Sequence, residues 1–422
     1  MQTVTVYRDI LKTEEGSYFT VPFSVPENTE KITVKYSYFK KGKGFWSDLR
    51  PSNTIDVGLC DEKGNFLGWS GSAHSEIFVG EHQSSPGYLR KPINAGEWQI
   101  LAGAYHVMPQ GVRVKYEITF EQKRERLLYG DLHMHSTASD GALSSYELAV
   151  KAKEQGLDFI GIADHNNYAE NFHLPDVSGV TCVPAVEWTH YKGHMNFFGV
   201  KAPFDSFFAA NSAEDMRLVI SHARESGAVV SVNHPMDHFC PYLWEDDDAY
   251  DMMEIWNGPM RPANTKALEK WTELLRAGRK IPIVGGSDFH RPRSFAKLGN
   301  PVTGVYAASA SAEDILNAVK NGRAFVCAKK GAARLDLSYG ESKMGQTAVY
   351  SPDTPLVIKS SVEKLILVTA DGEREISAKG GSVSVDPGDT PFAYVKVKSG
   401  ACKFGSLRAV SNPIYFKKEE QS

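Results

Sequence analysis

The chain has 422 residues, of which 42% are hydrophobic and 23% are charged, fractions that exclude a disordered or fibrous protein. Its formal net charge of −4 argues against neutralisation of nucleic-acid phosphates, so we expect no nucleic-acid partner. The sequence has no uncharged apolar run of about 18 residues and no basic segment leading into an apolar one at its start. We therefore expect no membrane association and a cytoplasmic location.

Residues 1–125 are predicted to form short β-strands. The segments ITVKYSYF, GEWQILAGAY and GVRVKYEITF alternate apolar and polar residues, and Gly, Pro, Asn and Ser separate them. No long amphipathic helix pattern occurs there, so we predict a β-sandwich.

From 126 to 330 the pattern changes to strands that alternate with helices. Ser144 and Glu147 form a capping box at the start of one predicted helix, and Ser212 with Asp215 begins another. Apolar runs such as FIGIA, AVVSVN and IPIVGG follow the helices, which predicts βαβ units in a barrel or a doubly wound sheet. Residues 331–422 return to short strands such as KLILVTA and FAYVKVKS, which predicts a small third domain, a second β-sandwich.

Histidine and carboxylate side chains fall at the ends of the apolar runs. His133 and His135 form an HxH pair, whose side chains point the same way in an extended strand. The residues that follow other apolar runs are Asp164, His165, Glu187, His234, Asp288 and His290. Because the carboxyl ends of parallel strands form the active-site face of α/β barrels, we expect these side chains to meet.

Such side chains are costly at buried strand ends unless they are paired or coordinated. Imidazole and carboxylate groups without thiolate suit Zn, Mn or Fe. The ligands outnumber what one ion can use, so we predict two or three divalent transition metal ions that share a bridging carboxylate.

The motifs DLHMHSTASDG, IADHN, a glutamate after a short strand, NHP and GSDFH occur in this order. Together they resemble the PHP (polymerase and histidinol phosphatase) family of metal-dependent phosphoesterases. The resemblance implies an α/β fold in which a distorted (β/α)7 barrel at 126–330 is flanked by an N-terminal β-sandwich at 1–125 and a small β-domain at 331–422. The segments at 84–100, 254–258 and 411–416 are similar to the carbaryl-hydrolase-like branch.

The resemblance also implies a ligand set. The three implied groups are His133, His135 and Asp288 for a first ion, Glu187 bridging to a second ion completed by His194 and His234, and Asp140, His165 and His290 for a third. His194 opens an apolar run rather than closing one, so His190 stays an alternative. Asp131 and Asp164 each adjoin a ligand histidine and are candidates for fixing imidazole tautomers.

Two cations that share a water lower its pKa and so provide a hydroxide nucleophile at neutral pH. We predict in-line attack on phosphorus, with Glu187, Asp288 and His234 as the catalytic ligands. Arg291 and Arg293 are candidate phosphate-binding residues, with a solvated basic loop as the alternative. Asn257, at another strand end, is a candidate substrate contact.

Four interpretations of function stay open at this point. The first is a phosphoesterase for a small, possibly phosphate-containing molecule, and the second is a carbamate, ester or amide hydrolase that uses the same metals. The third is a non-catalytic carbohydrate- or protein-binding protein with a decayed site, in which Trp46 and Trp98 would offer aromatic surfaces. An amidohydrolase with a carbamylated lysine is disfavoured, because Glu187 fills the bridging role. The sequence makes no prediction of oligomeric state.

Overall fold

The computed structural model describes residues 1–40, 52–204, 208–244, 248–398 and 407–417. Residues 1–124 form one compact unit and residues 125–422 form a second. The predicted boundary between 125 and 126 lies one residue after this division, and the predicted domains at 126–330 and 331–422 both fall within the second unit. The division into three domains stays a prediction. Trp46, one of the two aromatic residues proposed for carbohydrate binding, lies outside the described residues.

The first unit is built from eight described strands in two antiparallel sheets. The strands are β1 (Gln2–Ile10), β2 (Tyr18–Val25), β3 (Thr29–Tyr38), β4 (Thr54–Cys60), β5 (Phe66–Gly71), β6 (Glu76–Gly80), β7 (Gly96–His106) and β8 (Val112–Gln122), with a 3-10 turn at Lys12–Glu14. One sheet has the order β1-β8-β3-β6 and the other β2-β7-β4-β5. Their buried residues form one apolar core that contains Trp98, so Trp98 offers no surface to a carbohydrate.

The second unit is mixed α/β, with many strands and few helices. Its described strands are β9 (Arg126–Met134), β10 (Phe159–Ile162), β11 (Thr181–His190), β12 (Gly193–Phe198), β13 (Val229–Val232), β14 (Met252–Asn257), β15 (Ile283–Gly286), β16 (Val302–Ala307), β17 (Ala324–Cys327), β18 (Leu335–Tyr339), β19 (Ser342–Lys343), β20 (Thr347–Val349), β21 (Leu356–Ser360), β22 (Lys364–Thr369), β23 (Gly372–Ser377), β24 (Ser382–Val385), β25 (Phe392–Lys398), β26 (Leu407–Ser411) and β27 (Ile414–Lys417). Its described helices are α1 (Ser145–Glu154), α2 (Ala213–Glu225), α3 (Pro262–Arg276) and α4 (Ala312–Lys320), with 3-10 turns at Ala169–Phe172 and Lys379–Gly381.

Local hydrogen bonds set the starts of the helices. The Ser144 hydroxyl accepts from the backbone N–H of Glu147, and the Glu147 carboxylate accepts in return from the Ser144 N–H, which confirms the predicted capping box of α1. Ser212 and Asp215 do the same at α2. At α3, Pro262 occupies the first helical turn, where no backbone N–H is needed.

A single sheet of 15 described strands runs through the second unit. Its first part has the order β15-β14-β13-β12-β11-β10-β9-β16-β17. Strands β9, β10 and β11 are parallel, β12 runs antiparallel to β11 and β13, and β13, β14 and β15 are parallel again. Beyond β15 the chain returns to β9. There the Asp288 N–H donates to the His133 carbonyl, and the His135 N–H donates to the Phe289 carbonyl.

The sheet continues from β17 through β26, β25 and β22 to β23, and β18, β19, β21 and β24 form a further sheet of four. Met134 and Ile160 share one apolar cluster with Leu337 and Val395, so the C-terminal strands pack onto the α/β part. The predicted mixed α/β class is therefore present, while the barrel and the two sandwiches stay predictions. None of the four described helices has the long apolar stretch that crossing a membrane requires.

Candidate metal centre

The structure brings all nine predicted ligands close together in the second unit. They lie in four overlapping groups whose ligand atoms are within 4.8 Å of one another. The groups are His133, His135 and Glu187; His133, His234 and Asp288; His135, Asp140, His165 and His290; and His194 and His234 with Cys240. The strand ends predicted from the sequence therefore converge, and Cys240 joins them.

The Oε1 atom of Glu187 lies among three imidazoles. It is 3.2 Å from Nδ1 of His194 and 3.4 Å from Nε2 of both His133 and His234. Two ligand atoms that each lie about 2.1 Å from a tetrahedral ion are about 3.4 Å apart. These separations therefore fit ligands that surround a cation.

The Oε2 atom of Glu187 faces two further histidines. It is 2.9 Å from Nδ1 of His165 and 3.5 Å from Nε2 of His135. The same His135 nitrogen lies 3.2 Å from Oδ1 of Asp288, which in turn is 3.6 Å from Nε2 of His133. Each oxygen of Glu187 thus faces a different set of imidazoles, which is the geometry that a bridging carboxylate needs.

Asp140, His165 and His290 form a group of their own. The Oδ1 atom of Asp140 is 3.2 Å from Nε2 of His290 and 3.6 Å from Nε2 of His165. The Nδ1 atoms of these rings are bound elsewhere, His290 to the carbonyl of Asp288 at 2.9 Å and His165 to the hydroxyl of Thr189 at 2.7 Å. Both Nε2 atoms therefore face the space beside Asp140, as metal-binding histidines do.

The hydrogen bonds of His133 indicate whether these side chains can bind a metal ion. Glu254 lies 3.0 Å from Nδ1 of His133, and because an ionised carboxylate only accepts hydrogen bonds, that ring nitrogen is the donor. Nε2 of a neutral His133 then carries a lone pair, yet this buried atom has no hydrogen-bond partner among the described residues. A divalent cation would satisfy it, so the residues present fit the predicted group.

Without a metal ion, protons on the histidines balance the negative charges of the carboxylates in the site. Burial opposes protonation of His133, but Glu254, Glu187 and Asp288 outweigh it and raise the pKa of this imidazole well above its ordinary value. Burial likewise opposes ionisation of Glu187, yet His133, His165 and His194 hold the pKa of its carboxyl well below the usual range. Bound cations would take over the role of these protons.

Two backbone features bring the ligands together. His234 and Asp288 adopt positive φ angles of 29° and 51°, which are costly for residues with side chains and are typical of functional sites. Gly286, at the end of β15, lies against β9, where a Cβ atom would be 2.3 Å from Cβ of His133. A larger residue at this position would therefore push β15, and with it Asp288, away from His133 of β9.

Of the two alternatives, His194 and His190, only the first lies in the cluster. His194 is the second residue of β12 and pairs with Thr189 of β11, so the antiparallel turn returns it to the edge where β11 carries Glu187. Both ring nitrogens of His190 have other partners, the carbonyl of Ala210 and the backbone N–H of Lys192. The geometry therefore favours His194.

The predicted substrate-binding residues lie in two different environments. Arg291 and Arg293 are exposed on the loop that follows His290, and their contact with a phosphate stays a prediction. Asn257 is 2% exposed, and its amide donates to Glu254 at 3.1 Å while its oxygen accepts from Arg261 at 2.8 Å. Its atoms are occupied within the site, which favours a supporting role over contact with substrate.

The sequence reasoning missed Glu254 and Asn233. Glu254 binds the ring of His133 and the backbone N–H of His234, and the Asn233 amide donates to Oε1 of Glu187 at 2.8 Å. A signal for Glu254 was available, because it is the one charged residue in MMEIWN, and every residue of that strand is buried.

Asp131 and Asp164 were predicted to fix imidazole tautomers, but in their described contacts neither carboxylate binds an imidazole ring. Asp131 accepts from backbone N–H groups, including those of Ser287 and Gly299, and burial raises its pKa to about 6. Asp164 accepts from the backbone and the hydroxyl of Ser136. Both carboxylates hold loops in place, while Glu254, Thr189 and a backbone carbonyl orient the rings.

No protein-family model matches the chain. Two curated proteins match over a short segment: the DNA polymerase/3'-5' exonuclease PolX of Bacillus subtilis and a 5'-3' exoribonuclease of Haemophilus influenzae, each 51% identical over 39 residues. The segment is 9% of this chain, and it spans 7% of the first protein and 14% of the second. The sequence similarity is therefore high but local.

Solved structures with partial likeness include a two-domain protein from Bacteroides vulgatus that contains a predicted PHP-like metal-dependent phosphoesterase. Its TM-score is 0.40 at 17% identity, over 68% of this chain and 95% of that one. The lesion-specific endonuclease PfuEndoQ of Pyrococcus furiosus has a TM-score of 0.35 at 20% identity, over 46% of this chain and 56% of that one. Both TM-scores and both identities are low.

Proposed function

We propose that this chain is a metal-dependent hydrolase of phosphoric esters, a member of the PHP family that holds two or three divalent ions. The observation that carries the proposal is the environment of Glu187, whose Oε1 atom has ring nitrogens of three histidines within 3.4 Å and whose Oε2 atom has Nε2 of His135 at 3.5 Å. A carboxylate that is shared between two ions has other ligands near both of its oxygens, as Glu187 does.

Bound divalent ions would supply a water of lowered pKa as the nucleophile and would draw charge from the phosphoryl oxygens. Glu187 would be shared by the first two positions, and His133, His135, Asp288, His194 and His234 would supply their other ligands. His133 faces the same oxygen of Glu187 as His194 and His234, whereas His135 faces the other oxygen. The remaining group, Asp140 with His165 and His290, would hold a third ion. Arg291 and Arg293, on the loop after His290, would bind the phosphoryl oxygens of the substrate through charge-assisted hydrogen bonds.

The short matches support the phosphoester class, because the names of both curated relatives describe nucleases, whose substrates are phosphodiesters. The net charge of −4 favours a small phosphorylated substrate over a polynucleotide. A metal-activated water also attacks carbonyl carbon, so hydrolysis of carbamates, esters or amides is the alternative that the experiment must separate.

The test is hydrolysis of a matched panel by protein loaded with Mn or Zn, with 4-nitrophenyl phosphate, bis(4-nitrophenyl) phosphate, 4-nitrophenyl acetate and an aryl carbamate as substrates. We expect phosphate-ester cleavage that a chelator abolishes and that Glu187→Gln lowers by at least about 100-fold. Glu154→Gln, which changes an exposed carboxylate at the end of α1, is the control and should match wild type. Cleavage of only the carbonyl substrates would establish the alternative, and no metal-dependent cleavage would favour a binding protein.

A further inference from the structure

A cavity of about 630 Å³ adjoins the metal centre. His194 and Cys240 line it and also belong to one of the groups that could hold an ion. Three aromatic side chains line it as well and are exposed: Tyr191 by 99%, Phe239 by 89% and Phe208 by 41%. We call this space the aromatic cavity.

Three of the polar residues that line the aromatic cavity, Asn166, Thr189 and His190, have hydrogen-bond partners within the protein. The Asn166 amide donates to the carbonyl of Thr189 and accepts from its N–H, and the Thr189 hydroxyl binds His165. His190 uses both ring nitrogens, for the Ala210 carbonyl and the Lys192 N–H. Beside the exposed amide of Asn211, the cavity therefore offers a ligand mainly the surfaces of aromatic rings.

No Asp, Glu, Lys or Arg is among the described residues that line the aromatic cavity. A charged ligand group would therefore find no counter-charge among these residues. An uncharged ring, in contrast, can stack on or pack edge-to-face against Phe208, Tyr191 and Phe239 and remove apolar surface from water. The chemistry of the lining thus selects a neutral aromatic group.

We propose that the aromatic cavity binds a neutral aromatic group of the substrate while the ester bond lies at the metal centre, so that the natural substrates are esters of aromatic alcohols or phenols. The proposal rests on the proposed function for the chemistry at the metals. The binding of the ring depends only on the lining of the cavity. The shared residues His194 and Cys240 connect the two sites.

The first measurement detects the ring without any ester. Saturation-transfer NMR with phenol, on full-length protein treated with chelator, should give a signal that Phe239→Ala and Phe208→Ala each weaken. Tyr146→Ala, which removes an exposed aromatic ring on α1 outside the cavity, is the matched control and should leave the signal unchanged. Absence of the phenol signal, or equal signals in all variants, would overturn the inference.

The second measurement connects the cavity to the metals. Calorimetry on Mn-loaded protein should show that phenylphosphonate binds about 10-fold more tightly than methylphosphonate, a preference that Phe239→Ala lowers by roughly 2- to 10-fold. Equal affinities for the two phosphonates, or a preference for phenylphosphonate that is unchanged in Phe239→Ala, would also overturn the inference. If phenol binds in the cavity but no ester is cleaved with any metal, the proposed function fails instead.

Discussion

The Nδ1 atom of His133 lies 3.0 Å from Oε1 of Glu254, and both side chains are at most 2% exposed. The other oxygen of Glu254 accepts from the backbone N–H of His234 at 3.0 Å and from the amide of Asn257 at 3.1 Å. One carboxylate on β14 therefore orients a ring on β9 and the strained backbone after β13. The positions of His133 and His234 therefore both depend on the Glu254 carboxylate.

Glu254→Gln should weaken metal binding while the chain still folds. An amide offers one oxygen where the carboxylate offers two, so a donor from His133, His234 or Asn257 loses its partner. Loss of such a supporting contact typically costs 10- to 100-fold in metal affinity, and we expect a decrease of about that size in Mn affinity measured by calorimetry.

Glu269→Gln, an exposed position on α3, is the matched control for Glu254→Gln and should bind Mn as wild type does. Circular dichroism of both variants separates a loss of affinity from a loss of fold. Wild-type Mn affinity in a folded Glu254→Gln protein would contradict the supporting role.

His194→Asn should lower the metal content, whereas His190→Asn should lower only the stability, although the two residues lie on one hairpin. His194 is 3.2 Å from Glu187, so its removal should lower bound metal in elemental analysis. His190 stacks near Trp188 and Trp244 and binds the Ala210 carbonyl, so its removal should cost about 1–2 kcal/mol of unfolding free energy and leave the metal content unchanged. Lower metal content in His190→Asn alone would reverse the assignment.

These two histidines show which features the sequence could predict. The positions of His133, Glu187, His234 and Asp288 after apolar runs were predictable, because an apolar run followed by a polar ligand is a local pattern. The strand ends were less predictable, since β9 continues to Met134 and β11 to His190. The helix starts at Ser144 and Ser212 were predictable from a local pattern too, since a capping box spans four residues. His194 did not fit the strand-end pattern because β11 and β12 are antiparallel, which places the start of one beside the end of the other.

Glu254 shows what the sequence could not predict. It lies inside an apolar strand, and its partners His133 and His234 are far away along the chain, so only the strand order of the sheet connects them. The packing of the C-terminal strands was not predictable for the same reason, since it too depends on the strand order. Local patterns predict a domain at 331–422, but they do not show that strand pairing between β17 and β26 continues the sheet from the α/β part into that segment.

Metal binding should release protons and weaken as the pH falls. Burial opposes protonation of His234 and of His165, yet their neighbours, among them Glu187, raise the pKa of both rings above the ordinary value. A cation must displace those protons, so calorimetry near neutral pH in two buffers of different ionisation enthalpy should show release of about one proton or more per protein. Identical heats in both buffers, with equal affinity at about pH 6 and about pH 8, would contradict this.

Asp61→Asn should remove a pH-dependent part of the stability of the first unit. Burial alone would raise the pKa of Asp61, but the Lys91 ammonium at 2.6 Å and the Asn65 amide hold it well below the usual range. A carboxylate whose pKa is lowered on folding stabilises the protein above its unfolded pKa of about 4, and this contribution is lost as the pH falls towards the folded value. At neutral pH, denaturation by urea should therefore show the variant to be less stable by about 1–3 kcal/mol, and this difference in unfolding free energy should narrow below about pH 4.

The control is Asp9→Asn, which removes the exposed partner of Arg113 and should change stability by less than about 1 kcal/mol at any pH. If the difference between Asp61→Asn and wild type stayed constant with pH, the charge of Asp61 would not be its cause.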